Sequence, residues 1–380
     1  MDFLLTEEQT AIVNMACAFA EEELAPHAIE WDYKKVFPVN TLEKAGELGM
    51  GGIYVREESG GSALGRLEAV LIIEALARGC PSIAAYISIH NMVAGMVDHY
   101  GSDEQKALWF PDLVTMKKLG SYCLTEPGSG SDAAALRTKA VRSGDDYVLS
   151  GQKQFISGAG TSDVYLVMAR TGVDGPKGIS AFLVPKDTSG LSFGADERKM
   201  GWNAQPTRTV NMDAVRIPAA NLLGEEGDGF KIAMAGLDGG RLNIAAASLG
   251  GAQAAYEKAV AYMRERRAFG QALIDFQALQ FRLADMATSL EVSRTFLMRA
   301  ARSLDDRTPD ATLLCAMAKK FVTDRSFEVA NGALQLFGGY GYVSEYGVEK
   351  IVRDLRVHQI LEGTNEIMSV IISRAIVGGG

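Results

Sequence analysis

Tyr122-Cys-Leu-Thr-Glu-Pro-Gly-Ser-Gly-Ser-Asp132 lies where one pattern in the chain stops and another begins. Upstream, from Thr6 to about Lys118, apolar residues recur at three- and four-residue steps, as in Ile12, Met15, Ala16 and Phe19 and again in Leu67, Leu71 and Ala75. That spacing predicts helices, interrupted by the turn clusters Gly49-Met-Gly-Gly52 and Ser59-Gly-Gly-Ser62. Downstream, as far as Ala219, come short runs rich in β-branched and aromatic residues: Tyr147-Val-Leu149, Val164-Tyr-Leu-Val-Met168, Ile179-Ser-Ala-Phe-Leu-Val184 and Thr209-Val-Asn-Met212. Turn-forming Ser143-Gly-Asp-Asp146 and Gly172-Val-Asp-Gly-Pro176 bound them, which predicts a small antiparallel β domain. After Gly224-Glu-Glu-Gly-Asp-Gly229 helical periodicity returns over residues 230–265, 276–304 and 310–337, and Leu279, Leu283, Met286 and Leu290 form an apolar stripe. Long alanine-rich helices suit a four-helix bundle. The predicted architecture is α+β and multidomain: a helical domain over residues 1–118, a β-barrel-like domain over 119–224 and a helical bundle over 225–380, with only Gly378-Gly-Gly380 reading as a disordered tail.

The 380 residues are 47% hydrophobic, enough for a large core and more than one compact domain. With 38 Lys and Arg against 47 Asp and Glu, the net charge of −9 has the wrong sign for general attraction to nucleic acid or anionic lipid. An anionic coenzyme would need a few locally placed Arg or Lys residues. Cys17, Cys80, Cys123 and Cys315 form no Cys-x-x-Cys pair and read as reduced, mostly buried thiols. His27, His90, His99 and His358 show no metal-ligand spacing, so no metal site is expected, and His90 reads as a satisfied core histidine. The first eight residues lack the basic and apolar regions of a signal peptide. The weakly charged stretch 81–97, interrupted by His90 and Asn91, is too short to span a bilayer. The expectation is a soluble cytoplasmic protein with no membrane insertion and no nucleic-acid partner.

Gly190-Leu-Ser-Phe-Gly194 matches the Gly-x-Ser-x-Gly of a hydrolase nucleophile elbow, but an elbow needs a strand entering a helix. Polar Ala195-Asp-Glu-Arg-Lys199 follows instead, so a turn between strands is predicted. No Gly-x-Gly-x-x-Gly follows a strand-like run and no Gly-x-x-x-x-Gly-Lys occurs. A dinucleotide must be held some other way.

Tyr122 to Asp132 offers one. Gly128 and Gly130 let backbone approach a ligand closely, and Ser129 and Ser131 add hydroxyl donors suited to diphosphate oxygens. Leu124 and Thr125 could set an apolar edge and a hydroxyl against a ring. Alone, such a run is more often a plain turn. A second stretch, Leu361-Glu-Gly-Thr-Asn-Glu366, presents a single carboxylate, Glu362, beside a glycine. Together the two resemble the flavin loop and the catalytic-base loop of the acyl-CoA dehydrogenases, and the resemblance covers essentially the whole chain. It implies the same α, β, α domain order, and FAD as cofactor. Tyr122, Leu124, Thr125, Gly130 and Ser131 would hold the flavin, Phe155 would cover the isoalloxazine and Ser157 would face its N5, where many relatives carry Trp and Thr. Arg266, Phe269, Phe276, Gln277, Gln335, Gly338 and Gly339 would reach the FAD of a neighbouring subunit, although a Gly-Gly there also suits a helix C-cap. Thr364, Asn365 and Glu366 would touch FAD from the base loop. Ser131, Asp238, Arg241 and Arg374 would position the CoA moiety.

The same resemblance makes Glu362 the catalytic base. Removing a proton beside a thioester carbonyl requires a base whose pKa rises toward that of the activated substrate, and burial raises a carboxyl. Some relatives supply the carboxylate from a helix position that corresponds to Gly240, which has no side chain. Also implied are electron-transfer flavoprotein as the electron acceptor and a homotetramer built as a dimer of dimers. Ala85-Tyr-Ile-Ser-Ile-His-Asn-Met92, Trp31-Asp32 with Phe37-Pro38, and Met200-Gly-Trp-Asn-Ala-Gln-Pro-Thr207 look most like the members of valine breakdown that oxidise isobutyryl-CoA. A 2-methylbutyryl-CoA or butyryl-CoA dehydrogenase, an acyl-CoA oxidase and a non-catalytic flavin-binding scaffold are the alternatives.

Overall fold

A computed structural model describes residues 4–378. Met1, Asp2 and Phe3 of the stretch read for targeting, and Gly379 and Gly380 of the glycine tail, lie outside them. Six helices come first: α1 (Glu7–Phe19), α2 (Ala28–Lys34), α3 (Val39–Glu47), α4 (Arg66–Gly79), α5 (Pro81–Tyr100) and α6 (Asp103–Leu113). Strands follow: β1 (Gly120–Cys123), β2 (Lys139–Ser143), β3 (Asp146–Ser157), β4 (Val164–Arg170), β5 (Ile179–Pro185), β6 (Leu191–Phe193), β7 (Thr207–Pro218) and β8 (Leu222–Leu223). The last third holds α7 (Gly229–Glu265), the short ribbon of β9 (Arg267–Ala268) and β10 (Gln271–Ala272), then α8 (Gln277–Asp305), α9 (Ala311–Phe337), α10 (Val348–Arg356) and α11 (Asn365–Val377). Thus α7, α8 and α9 begin and end within about one residue of the periodic stretches. Thr6 and Ser102 cap α1 and α6 by accepting from the backbone N–H of Gln9 and Gln105, whose side chains return to the caps.

The three-part order agrees with the sequence, but the two helical parts share one core. A single cluster runs from Ala16, Leu42 and Ile73 through Leu242 and Leu249 to Cys315, Val322 and Leu355. Small residues on α7 permit it: a Cβ on Gly250 would collide with the backbone oxygen of Glu74, so α4 and α7 touch backbone to backbone.

The sheet is mixed rather than purely antiparallel. Its path runs β6-β7-β3-β2-β4-β5-β8, and both β1 and β2 pair parallel with β4. Parallel neighbours need a crossover, and the excursion through the β2–β3 hairpin supplies it. One face curls round its own core, so that the Tyr147 and Phe182 rings stand 4.9 Å apart although β2 and β4 separate their strands. The other face packs Leu166, Met168 and Leu183 on Met96, Val97, Phe110 and Ile232 of α5, α6 and α7. Leu191–Phe193 is an edge strand paired with β7, so the Gly-x-Ser-x-Gly run is sheet more than turn, and no elbow exists there. His90 is a satisfied core residue, as read: its Nε2 meets the Leu113 carbonyl at 2.9 Å and its Nδ1 accepts from the Gly120 N–H at 3.1 Å. Cys80, Cys123 and Cys315 are buried free thiols and Cys17 is half-buried. No described helix is long and apolar enough to cross a membrane.

Gly250→Ala is expected to lower the thermal unfolding midpoint by several degrees, since overpacking a tight contact costs about 1–3 kcal/mol. An unchanged midpoint in a heating scan would show that α4 and α7 are not in such contact.

Candidate active site

Glu362 sits on the short link between α10 and α11. The link must reverse direction before Thr364 caps α11 by accepting from the Ile367 N–H at 3.3 Å. Glu362 and Gly363 both take left-handed backbone angles to do so, φ +56° and +85°. For glutamate that conformation is uncommon and strained, and such strain gathers at functional sites. The turn aims the carboxylate inward. Its Oε2 is buried with no hydrogen-bond partner, and it lies 2.7 Å from where a Cβ on Gly240 would be. Burial pushes the Glu362 carboxyl up to about 7, against the opposing pull of the Arg241 and Lys319 cations. Arg241 is itself tied to Asp238 at 2.5 Å and to the Glu362 carbonyl at 3.4 Å, and the other Asp238 oxygen accepts from Thr312 at 2.8 Å.

The α7 surface beside Glu362 is a stripe of small or amide residues at helical spacing: Gly236, Gly239, Gly240 and Asn243. Side chains from elsewhere press on it. A Cβ on Gly236 would strike the Met96 methyl, and one on Gly239 would strike the Arg66 guanidinium. That guanidinium stacks 3.7 Å above the Tyr54 ring, which in turn fills the space over Gly95. Tyr54 OH, Arg66 Nη1, both amide atoms of Asn243 and Tyr122 OH are buried without partners inside the chain. Burial raises both phenols, and the Glu362 charge adds to the rise, which places both within its field. Unmade buried hydrogen bonds cost about 1–3 kcal/mol each, so this cluster is built to face an occupant. Tyr54, Arg66, Met96 and Asn243 were not anticipated from the sequence. The helical repeat of Gly236, Gly239 and Gly240 was the available signal.

The loop after β1 is rigid at its base and open at its tip. The buried Glu126 carboxylate accepts from Arg137 N (2.6 Å), Thr138 N (2.9 Å) and Lys153 Nζ (2.7 Å), and Lys153 also donates to the Leu124 carbonyl at 3.1 Å. Glu126 and Ser129 exchange backbone bonds, pinching out Pro127 and Gly128, and Gly130 and Ser131 follow exposed. A Cβ on Gly128 or Gly130 would meet nothing within 4 Å, so these glycines leave room for a ligand rather than for the protein. Ser129 differs from the reading as a ligand donor: it is buried and its hydroxyl is spent on the Asp132 carbonyl at 2.7 Å. Leu124 is buried, Thr125 and Ser157 are half-buried and Ser131 is exposed. A register shift between Lys153 and Ile156 breaks the β3–β7 ladder, and Phe155, at φ +59°, stands 62% exposed. Bulges re-aim side chains in this way. An aromatic face beside an open glycine loop fits a flat cofactor with a diphosphate.

A second group lies at the far ends of the long helices. Arg266, Gln335, Gly338 and Gly339 line one concave surface with Tyr262 and Tyr340. The Arg266 guanidinium is 5.5 Å over the Tyr340 ring, and Phe269, 96% exposed, meets Phe276 edge-on at 6.3 Å beside Gln277. Gly338 does cap α9, at φ +60°, yet a Cβ there or on Gly339 would touch nothing. About 38 Å of α7 separates Arg266 from Arg241, so these residues lie remote from Glu362. Of the base-loop residues, Thr364 is the helix cap and Glu366 is exposed, but the Asn365 amide faces α9 and is fully engaged there. Arg374 is exposed near the end of α11.

Residues 6–117, 121–215 and 227–377 match the N-terminal, middle and C-terminal domains of acyl-CoA dehydrogenase. The chain belongs to the acyl-CoA dehydrogenase family and is an FAD-dependent oxidoreductase acting on acyl-CoA. It is similar to the mitochondrial isobutyryl-CoA dehydrogenases of Dictyostelium discoideum (55% identity, 98% of this chain and 90% of the relative) and Bos taurus (53%, with the same coverage). It also superposes on butyryl-CoA dehydrogenase from Megasphaera elsdenii with a TM-score of 0.96, at 38% identity over 99% of this chain and 100% of the other.

Gly240→Ala should preserve α7, since alanine favours helix, but displace the Glu362 carboxylate. We expect kcat for dehydrogenation to fall about 100-fold, as a shift near 1 Å can produce, with a smaller change in KM. Unaltered kcat would show that the carboxylate does not rest on this helix.

Proposed function

We propose that the chain dehydrogenates short branched acyl-CoA thioesters, isobutyryl-CoA to methacrylyl-CoA foremost, with Glu362 as the base. The observation that carries this is a carboxylate whose Oε2 is buried and unpartnered, held on a left-handed turn against Gly240, where α7 has no side chain. A carboxyl pushed up to about 7 is matched to abstracting a weakly acidic proton at neutral pH. Two relatives at 53–55% identity bear the name isobutyryl-CoA dehydrogenase. Met96, Tyr54 and Arg66 occupy the α7 face next to the base, which favours a short acyl group over a long one.

In this reading the thioester lies with its α-carbon at the Glu362 carboxylate. Glu362 takes the α-proton, the C–H electron pair becomes the new double bond, and the β-hydrogen departs with its own pair. Bound FAD supplies the acceptor for that hydride. The Glu362 backbone N–H has no acceptor within the chain among the described residues and can donate to the thioester oxygen, where such a donor contributes ~3 kcal/mol as negative charge develops. Arg241 and Asp238 brace the base loop from behind, while Ser131 and Arg374 stand exposed where a CoA moiety can reach them. Tyr122, Leu124, Thr125, Gly130, Phe155 and Ser157 would hold the flavin end. Arg266, Phe269, Phe276, Gln277, Gln335, Gly338 and Gly339 would serve the cofactor of a second copy, making a homodimer the smallest complete unit and a dimer of dimers the proposed assembly. Electron-transfer flavoprotein is the proposed electron acceptor.

Anaerobic mixing of the FAD-loaded protein with isobutyryl-, 2-methylbutyryl-, isovaleryl- and butyryl-CoA should bleach the flavin fastest with isobutyryl-CoA. Faster bleaching by a straight chain would reverse the substrate order. Glu362→Gln should retain FAD and lose bleaching by about 1,000-fold or more; full bleaching in that variant would refute the base. Because only the ionised carboxylate accepts a proton, the rate should rise with pH through about 7. A rate independent of pH from ~5.5 to ~8.5 would contradict the role of a carboxyl titrating near 7.

A further inference from the structure

Lys319 on α9 is fully buried and enters no ion pair at contact distance among the described residues. Its ammonium instead donates to the Gly363 carbonyl at 2.8 Å and to the Asn365 side-chain oxygen at 2.8 Å. The Asn365 amide nitrogen continues the attachment, reaching Thr323 Oγ1 at 3.0 Å and Asp324 Oδ1 at 2.7 Å, and Gln359 also donates to Asp324 at 2.7 Å. One turn of α9 therefore grips the base loop on both sides of Glu362. A buried ammonium is costly, and an apolar side chain of similar volume could fill the same space. What the charge provides is aimed at the loop.

We propose that Lys319 is a positioning residue for the base loop: its two bonds fix the left-handed turn at Glu362–Gly363, and its charge keeps the Glu362 carboxylate ionised when substrate arrives. The charged groups facing the ammonium agree with this. Glu362 from the loop, Asp324 from α9 itself and Glu366 from α11 favour its protonated form, while burial and Arg241 from α7 oppose it. Burial is the largest influence and draws Lys319 down to about 7, the value to which burial raises Glu362. Each group lies in the other's field, so a proton arriving on one is felt by the other. With Lys319 gone, Glu362 would keep its burial and lose one of its two cations, and its proton would be held more tightly.

The proposal rests on Glu362 being the base, and the test separates the two claims. Lys319→Gln and Lys319→Met, compared at matched FAD content, should both move the acid limb of the isobutyryl-CoA reduction profile upward by about one pH unit or more. Lys319→Gln, whose amide can still donate to Gly363, should keep a limiting high-pH rate about tenfold above Lys319→Met. A limb that stays within ~0.2 units of wild type in both variants would overturn the proposal. Should neither variant hold FAD, Asn365→Ala decides: it leaves the charge and removes one anchor, and should lower the limiting rate about tenfold with little change in KM. An unchanged limiting rate would overturn the positioning claim. Glu362→Gln with wild-type bleaching sinks the base itself, whereas an inactive Glu362→Gln beside wild-type-like Lys319 variants sinks only the role of Lys319.

Discussion

A carboxylate with one oxygen buried and unpartnered dictates the structure around it. Taken alone, a buried carboxylate would simply protonate and become inert. Here burial is offset by two cations that never contact the carboxylate oxygens as hydrogen-bond partners, Arg241 on the loop carbonyl and Lys319 on the loop's far side. The acid is left between its two forms near neutrality. That balance needs a fixed distance to each cation. The strained turn, the Asn365 clasp on α9 and the bare Gly240 all serve to fix it.

Rigid support reaches outward from this point. The helices that carry Arg241 and Lys319, α7 and α9, belong to the same core that joins the N-terminal and C-terminal helical parts, so both braces rise from one packed body. On the cofactor side the Glu126–Lys153 pair does for the glycine loop what Lys319 does for the base loop. Burial raises the Glu126 carboxyl, but the ammonium and the bonds from Arg137 and Thr138 outweigh it and hold it below its ordinary value. An ionised clamp at the foot of the loop leaves Gly128, Gly130 and Ser131 exposed where a ligand can reach them. In the proposed mechanism, catalytic geometry is set by buried charges hydrogen-bonded to backbone, which act at short range in a medium where they count for more than in water.

Period and local motif carried much of this from the sequence. The ends of α7, α8 and α9 follow from apolar spacing and from glycine-rich or acidic breaks, and Glu362 stands out because a lone carboxylate precedes a glycine. What was not legible depends on pairing between distant residues. The two parallel pairings of β4 follow from chain crossovers that strand propensity cannot report. Ser129 looked like a ligand donor because its hydroxyl appeared free, and only the turn geometry reveals that Asp132 uses it. Tyr54, Arg66, Met96, Asn243 and Lys319 come from five separate elements or loops, each reading locally as ordinary helix or turn. Met96 and Arg66 meet α7 because it lacks side chains along one stripe, a feature visible in Gly236, Gly239 and Gly240 but without meaning until the partners are in place, and Lys319 reaches Gly363 and Asn365 from α9.

Burial should make the Glu362 carboxyl titrate near neutrality. Infrared difference spectra of the FAD-loaded protein, with the Glu362→Gln signal subtracted, isolate its protonated carbonyl stretch as pH is varied. The structure predicts half-ionisation at about 7. Half-ionisation near the ordinary value of 4.5 would mean that the group lies in water, and the account would fail.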